Sequence, residues 1–276
     1  MLAFGVDAAR CDGCGRCAAD CPAGIIRLQD GRLPAIAAQD EVKCLRCQHC
    51  LAVCPPGAIS ILGCHPGQSL LLNPAALPSL AQMELLVRGR RSVRRYRDED
   101  VDHELLERLL RTLAHAPTGV NRQALTFHVV GERGALRRLR ERLYRTAVEE
   151  VEAGRLAPDS GVASFARTYL DSGRDIVFRG APHVLLVSAP PDAPCQREDV
   201  ALALAYFELL AHSAGLGTVW CGLLRMSLEA LPQLKPLFGL SPEHFYYPML
   251  FGVPAWRYAR TVQRDQAAPI EWIRSA

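Results

Sequence analysis

CDGCGRCAADCP at residues 11–22 and CLRCQHCLAVCP at residues 44–55 share one internal spacing, C-x2-C-x2-C-x3-C-P. Each cysteine of the second run lies 33 positions after its counterpart in the first (44 − 11 = 33). Eight thiols in a repeated frame are a site for two iron–sulfur clusters. In this spacing the fourth cysteine of each run ligates the other run's cluster. Three thiolates two residues apart wrap one cubane because a tight turn points each side chain inward, and the fourth sits too far along to join them. The expected ligand sets are therefore Cys11, Cys14, Cys17 and Cys54 for one 4Fe–4S cluster, and Cys44, Cys47, Cys50 and Cys21 for the other. Gly13 and Gly15 permit backbone conformations closed to other residues, and Pro22 and Pro55 end each run with a fixed φ. Ile25, Ile26, Ile59 and Ile61 are placed to exclude water, which helps to set a cluster's potential. Zinc sites and disulfides are the competing readings, but zinc ribbons use two pairs of ligands, not two quartets ending in proline.

The chain has 276 residues, 49% of them apolar, enough for one large domain or two with a sizeable core. No apolar run reaches membrane-spanning length; the longest, Val200 to Leu210, is interrupted by Glu208. No basic region followed by an apolar segment opens the sequence, so no signal peptide is expected. Eleven cysteines without an export signal point to a reducing, cytoplasmic location. A net charge of +3 is too small to imply a nucleic-acid partner. The basic residues are 30 arginines against two lysines, Lys43 and Lys235, a bias that fits a GC-rich genome better than a chemical need.

Residues 1–63 read as the two-cluster unit. Short β-prone flanks at Leu2–Val6, Ile25–Leu28 and Ala58–Leu62 give a small βαββαβ-like module held mainly by its clusters. Residues 64–78, with Pro66, Gly67, Pro74 and Pro78, form a semi-rigid linker. Residues 79–276 read as α+β. Helices are expected from Ser79 to about Val87, from Asp102 to Ala116, from Leu136 to Val151 and from Val200 to Ser213. Strands are expected at Leu125–Val130, His183–Ala189, Gly217–Cys221 and Tyr246–Gly252. The Ser160–Asp171 region, with Tyr169, is a candidate lid.

Arg88, Arg90, Arg91, Arg94, Arg95 and Arg97 fall within ten residues without an acid among them. A solvated basic face gives the same composition. Here the arginines bracket Ser92, and a hydroxyl among guanidinium groups suits a phosphate through charge-assisted hydrogen bonds. Pro117-Thr118-Gly119 is a loop that lets backbone approach a ligand. Asn121 and Gln123 pair donors with acceptors, as a pyrimidine-like edge requires, or serve to brace the loop. Trp220 by itself suits plain core packing.

Residues 79–276 resemble the FMN-dependent nitroreductase family. The resemblance is carried by RRSVR at 90–94, APTGVNRQ at 116–123, GLGTVWCG at 215–222 and FGVP at 251–254 with the basic tail after it. The whole chain resembles a ferredoxin–nitroreductase fusion. The resemblance implies an α+β sandwich that forms a homodimer with an FMN at each interface. It implies that Arg90, Arg91, Ser92 and Arg94 hold the FMN phosphate and the polar edge of the flavin. Pro117, Thr118 and Gly119 would approach the flavin from the partner subunit, with Asn121 and Gln123 at the ring's polar atoms. Trp220, Cys221 and Gly222 would line the flavin edge. Arg260 would return to the phosphate, with Arg257 and Arg264 as further candidates. The sequence departs from the family where Ala124-Leu125 stand in place of Pro-Trp and Thr118 in place of Ser.

Gly215-x-Gly217 resembles the start of a dinucleotide fingerprint, but it follows a helix and opens a strand, the reverse of what that fingerprint needs. The three remaining cysteines, Cys64, Cys195 and Cys221, read as small buried or incidental thiols. His115, His183 and His212 read as structural. The expected protein is a cytoplasmic flavin and iron–sulfur oxidoreductase. Its clusters take electrons from a soluble ferredoxin or another reductant and pass them to FMN. The acceptor is a small electron-poor molecule: a nitroaromatic, quinone or activated alkene. The other readings are an electron-transfer or redox-sensing module without its own organic substrate, and a specialised flavin enzyme such as a reductive dehalogenase or a flavin-fragmenting enzyme.

Overall fold

The computed structural model describes residues 2–29 and 33–274. They fall into two compact units, Met1–Pro78 with Val120–Arg122, and Ser79–Gly119 with Gln123–Ala276.

In the first unit the order is β1 (Gly5–Val6), α1 (Arg16–Ala19), β2 (Ile26–Gln29), β3 (Leu33–Ile36), a 3-10 helix (Ala38–Lys43), α2 (His49–Ala52) and β4 (Ile59–Ser60). This is the βαββαβ order expected from the sequence. β1 pairs antiparallel with β4, and β2 with β3. Among the described residues the strands and α-helices are two to four residues long because the cysteine turns take up most of the chain. The 33-residue repeat is visible in the backbone itself. Gly13 and Gly15 sit at φ 69° and 71°, and their counterparts Arg46 and Gln48 at 54° and 60°. Glycine takes the left-handed turn without a steric cost; Arg46 and Gln48 take the same turn against one. Leu2, Ile25, Ile26, Leu51, Ile59 and Ile61 form the unit's core together with Cys17 and Cys50. Beyond it, 3-10 turns at Pro66–Gln68 and Pro74–Ala76 flank three exposed leucines, Leu70 to Leu72.

The second unit begins with α3 (Leu80–Gly89), where Ser79 and Gln82 form a reciprocal capping box. It continues through α4 (His103–Thr112), β5 (Thr126–Val130), α5 (Arg133–Glu152), α6 (Gly161–Ser172), β6 (His183–Ala189) and α7 (Gln196–Ser213). β7 (Gly217–Trp220), α8 (Gly222–Ala230) and β8 (Phe245–Gly252) complete it. The four strands form one antiparallel sheet in the order β5-β6-β8-β7. All seven residues of β6 are buried, which places helices on both faces of the sheet. Leu185 and Val187 join the α4 and α7 side chains Leu106, Leu109, Leu204 and Phe207. Val184 and Leu186 join those of α5, α6 and α8, including Leu143, Val162 and Leu224. The alternation along one strand thus builds both halves of an α+β sandwich.

Ser160–Asp171, the candidate lid, lies in α6 with its cap. Ser160 accepts the Ala163 amide at 3.3 Å, and Gly173 ends the helix at φ 73°. Val162, Ala163 and Ala166 are buried, and Tyr169 stacks on Tyr144 of α5 at 4.3 Å.

Ser92 and Val93 run alongside β7. Ser92 bridges Thr218 in parallel, and the Val93 amide donates to the Thr218 carbonyl at 2.8 Å. The approach is close because residue 217 is glycine. A Cβ there would lie 2.6, 2.7 and 2.8 Å from Val93 Cγ2, Cβ and Cγ1. Val93 is branched and 8% exposed, so it cannot swing aside. Gly217→Ala is expected to cost about 2 kcal/mol in urea unfolding. A variant within ~0.5 kcal/mol of the parent would mean that Val93 does not pack on residue 217.

Candidate functional site

Cys17 is carried by α1 and Cys50 by α2, each in the first turns after a left-handed cap residue, Gly15 or Gln48. Cys11, Cys14, Cys17 and Cys54 line one small hollow, closed on its apolar side by Leu28, Pro34 and Ile59. Cys21, Cys44, Cys47 and Cys50 line a second, closed by Ile25, Ile26, Ile36 and Ile61. All eleven cysteines are free thiols. Burial raises the Cys17 thiol and pushes Cys50 up to about 11, with the facing Cys47, Cys21 and Cys44 adding to the shift. Thiols so placed ionise on meeting a metal, whose charge replaces the lost solvation. The Ala58 amide donates to Cys54 Sγ at 3.2 Å and the Arg46 amide to Cys44 Sγ at 3.4 Å, contacts of the kind that set cluster potential. Among the described residues no three His, Cys, Asp or Glu side chains group as ligands of a single ion. The donor set, four sulfurs around each apolar hollow, fits iron–sulfur clusters.

In the second unit, Arg94, Trp220, Cys221 and Gly222 line one cavity of about 300 Å³. Its other walls include Val177, Arg179, Val219 and Leu250. Arg94 set against these apolar walls fits a flat, anionic cofactor such as a flavin. Arg94 gives Nη1 to the Ser92 carbonyl at 3.2 Å. Cys221 turns its thiol into the core, donating to the Val177 carbonyl at 3.3 Å, and burial pushes it up to about 12. It is therefore a neutral packing group and not a nucleophile, as the sequence reading expected. Trp220 packs edge-on to Tyr247 at 5.4 Å.

Arg90 and Arg91 line a second cavity of about 510 Å³, with Leu86, Thr218, Trp256 and Arg257 among its walls. Arg90 Nη1 pairs with Glu208 Oε1 at 3.1 Å. The same carboxylate accepts from Thr218 Oγ1 at 3.4 Å and from Trp220 Nε1 at 3.2 Å. One buried acid on α7 thus ties the arginine segment to β7. Ser92 lines neither cavity; it stands at the bridge to Thr218.

Pro117, Thr118, Gly119 and Gln123 also line neither cavity. Their loop is braced internally. The Gly119 amide donates to the buried Asp199 at 2.9 Å, and the Gln123 amide to Thr118 Oγ1 at 3.0 Å. Val120, Asn121 and Gln123 all take positive φ, 48°, 54° and 48°. Three such residues in four store strain of a kind that persists at functional sites. Asn121, which belongs to the first unit, donates Nδ2 to the Leu45 carbonyl at 3.0 Å. Arg260 lies exposed in the tail and lines neither cavity.

Glu208 and Arg179 are the site residues that sequence reasoning passed over. Glu208 had a signal: a carboxylate inside an apolar helix needs a buried partner. Arg179 had only a following Gly180-Ala181-Pro182 to mark a turn.

Residues 87–253 match the family model described as nitroreductase family, and residues 10–59 match that of the 4Fe-4S dicluster domain. An iodotyrosine deiodinase of Thermotoga neapolitana is 34% identical over 141 residues, which make up 49% of this chain and 70% of that protein. A nitroreductase with bound FMN from Bacteroides fragilis superposes with a TM-score of 0.55 at 21% identity, covering 69% of this chain and 99% of that one. Another, from Desulfitobacterium hafniense, does so with a TM-score of 0.51 at 21% identity, covering 67% and 96%. Both share this chain's fold. Among the described residues no helix is long and apolar enough to cross a membrane.

Proposed function

Since the chain belongs to the nitroreductase family and carries a 4Fe-4S dicluster domain at its N-terminal end, we propose that it is a flavin and iron–sulfur oxidoreductase that reduces a small electron-poor acceptor. The observation that carries this reading is the pair of four-cysteine hollows in the same chain as a cavity lined by Arg94. The domains run from 1 to 63 for the clusters and from 79 to 276 for the flavin, with 64–78 as the linker. Cys11, Cys14, Cys17 and Cys54 hold one cluster, and Cys44, Cys47, Cys50 and Cys21 the other. When bound, FMN supplies two-electron reduction at its N5, and the clusters supply one-electron input.

The chain's own residues bind and position. Arg90, Arg91 and Ser92 serve the FMN phosphate, with Arg260 closing on it. Arg94 holds negative charge at the pyrimidine end, and Trp220, Cys221 and Gly222 frame the ring. Pro117, Thr118, Gly119, Asn121 and Gln123 serve the flavin of the partner subunit in a homodimer. Exposed Leu85 and Val87 on α3, with exposed Trp256 and Tyr258 in the tail, support such a partner, since exposed large apolar side chains are costly in water. The lining of the smaller cavity offers no carboxylate or imidazole, and Cys221 keeps its proton. No general acid is assigned in this reading, and solvent serves as the proton source. The reductant is a soluble ferredoxin or a similar one-electron donor, and the setting is the cytoplasm.

The test is an anaerobic one. The purified chain is expected to hold FMN and two clusters, and reduced ferredoxin should bleach both. In Cys47→Ala, FMN content should persist while its reduction by ferredoxin slows by more than an order of magnitude. An unchanged rate would end the relay reading. The 34% identity to an iodotyrosine deiodinase favours a second acceptor class, a carbon–halogen bond. There the substrate gains two electrons and a proton and releases halide. Halide release from a halophenol, measured beside nitroaromatic reduction, separates the two.

A further inference from the structure

The cavity lined by Arg94 contains a second cation, Arg179, for which the reading above has no use. No carboxylate lines this cavity. Its remaining walls are Val177, Val219, Leu223, Leu250 and the Trp220–Gly222 segment. Arg94 spends one guanidinium nitrogen on a neutral carbonyl, that of Ser92. Two arginines in an apolar recess without an acid are an arrangement that calls for an anion from outside.

Arg179 is also held where it is by a device. Its φ is 57°, a left-handed conformation that glycine takes freely and arginine does not. Asp175 imposes it by accepting the amides on either side, Phe178 N at 2.8 Å and Gly180 N at 2.9 Å. Asp175 is anchored in turn by Tyr144 Oη at 2.7 Å and by Arg140 at 3.1 Å, both on α5. The Asp175 side chain is 9% exposed, and both of its oxygens are engaged by these four groups. A buried acid, a tyrosine and an arginine thus fix the backbone of a half-exposed residue at a cavity wall. Strain maintained at such expense in a cleft marks a functional position.

We infer that Arg179 is a specificity-determining residue: it recognises an anionic group, such as a carboxylate, on the acceptor that enters this cavity. The substrate class is then an electron-poor ring that carries an acid, not a neutral one. The inference rests on the flavin reading for the identity of the reacting partner. The recognition itself is a guanidinium–carboxylate contact and does not depend on that reading.

Holo-protein is titrated in the oxidised state with 4-nitrobenzoate and with nitrobenzene, and binding is read from the perturbed flavin spectrum. FMN content is measured in parallel for the parent, Arg179→Ala and Arg179→Lys. The parent is expected to bind 4-nitrobenzoate about ten-fold more tightly than nitrobenzene. Arg179→Ala should remove that preference, leave nitrobenzene within about two-fold and leave FMN content unchanged. Arg179→Lys should restore part of it. In turnover the loss should fall on KM for 4-nitrobenzoate, not on kcat. Equal weakening of both compounds, or no preference in the parent, would overturn the inference. So would loss of FMN from Arg179→Ala, which would make Arg179 a cofactor ligand. A parent that takes up no FMN defeats the flavin reading alone. Binding of benzoate to that protein, followed by calorimetry, then decides the inference: abolition by Arg179→Ala supports it, and persistence or absence of binding in the parent ends it.

Discussion

Cys50→Ala is expected to remove a whole cluster and, with it, the fold of the first unit. Cys50 is 7% exposed and packs in the unit's core with Ile25, Ile26, Leu51 and Ile61. The helix that carries it has four residues, and among the described residues no strand in the unit exceeds that length. Elements this short have little stability of their own, and the free energy of metal binding in such a unit is its folding free energy. Iron should fall from about eight to about four or fewer per chain. Limited proteolysis should then cut within residues 1–78 while the second unit keeps its thermal transition. Cys14 is exposed, so Cys14→Ala removes a ligand without opening the core and should leave the unit more resistant to protease. A Cys50→Ala protein with its full iron content would show that the thiol is not a ligand.

The second large effect is expected at Arg90, and it should be asymmetric. The Glu208 side chain is 9% exposed and that of Arg90 28%. Arg90→Met leaves a buried carboxylate with only Trp220 Nε1 and Thr218 Oγ1 as partners, at an expected cost of about 3–5 kcal/mol. Glu208→Gln leaves a guanidinium that already reaches water and an amide that still accepts from Trp220. That change should cost about 1–2 kcal/mol. The double variant Arg90→Met, Glu208→Leu should recover much of the loss, since an apolar pair of similar volume avoids the desolvation of both charges. Urea unfolding of Arg90→Met, Glu208→Leu and the double variant closes the cycle and measures the coupling directly. Equal and additive costs for the two single changes would mean that the ion pair is not formed. Trp220 fluorescence gives a second readout, because its indole loses a charged acceptor in Glu208→Leu.

What could be read from the sequence divides along physical lines. The cysteine frame was legible because ligand spacing is a local, nearly rigid property of the turn. So was β6, whose Val184–Val187 run follows Ala181-Pro182, and so was the helix start at Ser79. The helix expected over Asp102–Ala116 is helical only to Thr112 and then tightens to a 3-10 turn at Leu113–His115. The residue before Pro117 is pushed out of the helical region, and Ala116 sits at ψ 134°. β3 was illegible because Pro34 lies inside it; a two-stranded ribbon tolerates proline where a central strand does not. α6 was read only as a candidate lid, although its apolar residues Val162, Phe165, Ala166 and Tyr169 recur at helical spacing. In the flavin-side site, residue types were legible and partners were not. Arg90 and Glu208 are 118 positions apart, and no local pattern joins them. Arg179 owes its place to Asp175, Tyr144 and Arg140, contacts that exist only once α5 has packed.

The exchange of sulfurs between the two cysteine runs also sets an order of assembly. Cys54 faces the hollow of Cys11, Cys14 and Cys17, while Cys21 faces that of Cys44, Cys47 and Cys50. On a nascent chain leaving the ribosome, neither hollow has its four sulfurs until residue 50 has emerged, and the first must wait for residue 54. The first half cannot be matured and stored while the second is still being made. Iron must be delivered to a chain in which both cysteine runs are already present, and a truncation anywhere before Cys50 leaves two incomplete cups and no finished one.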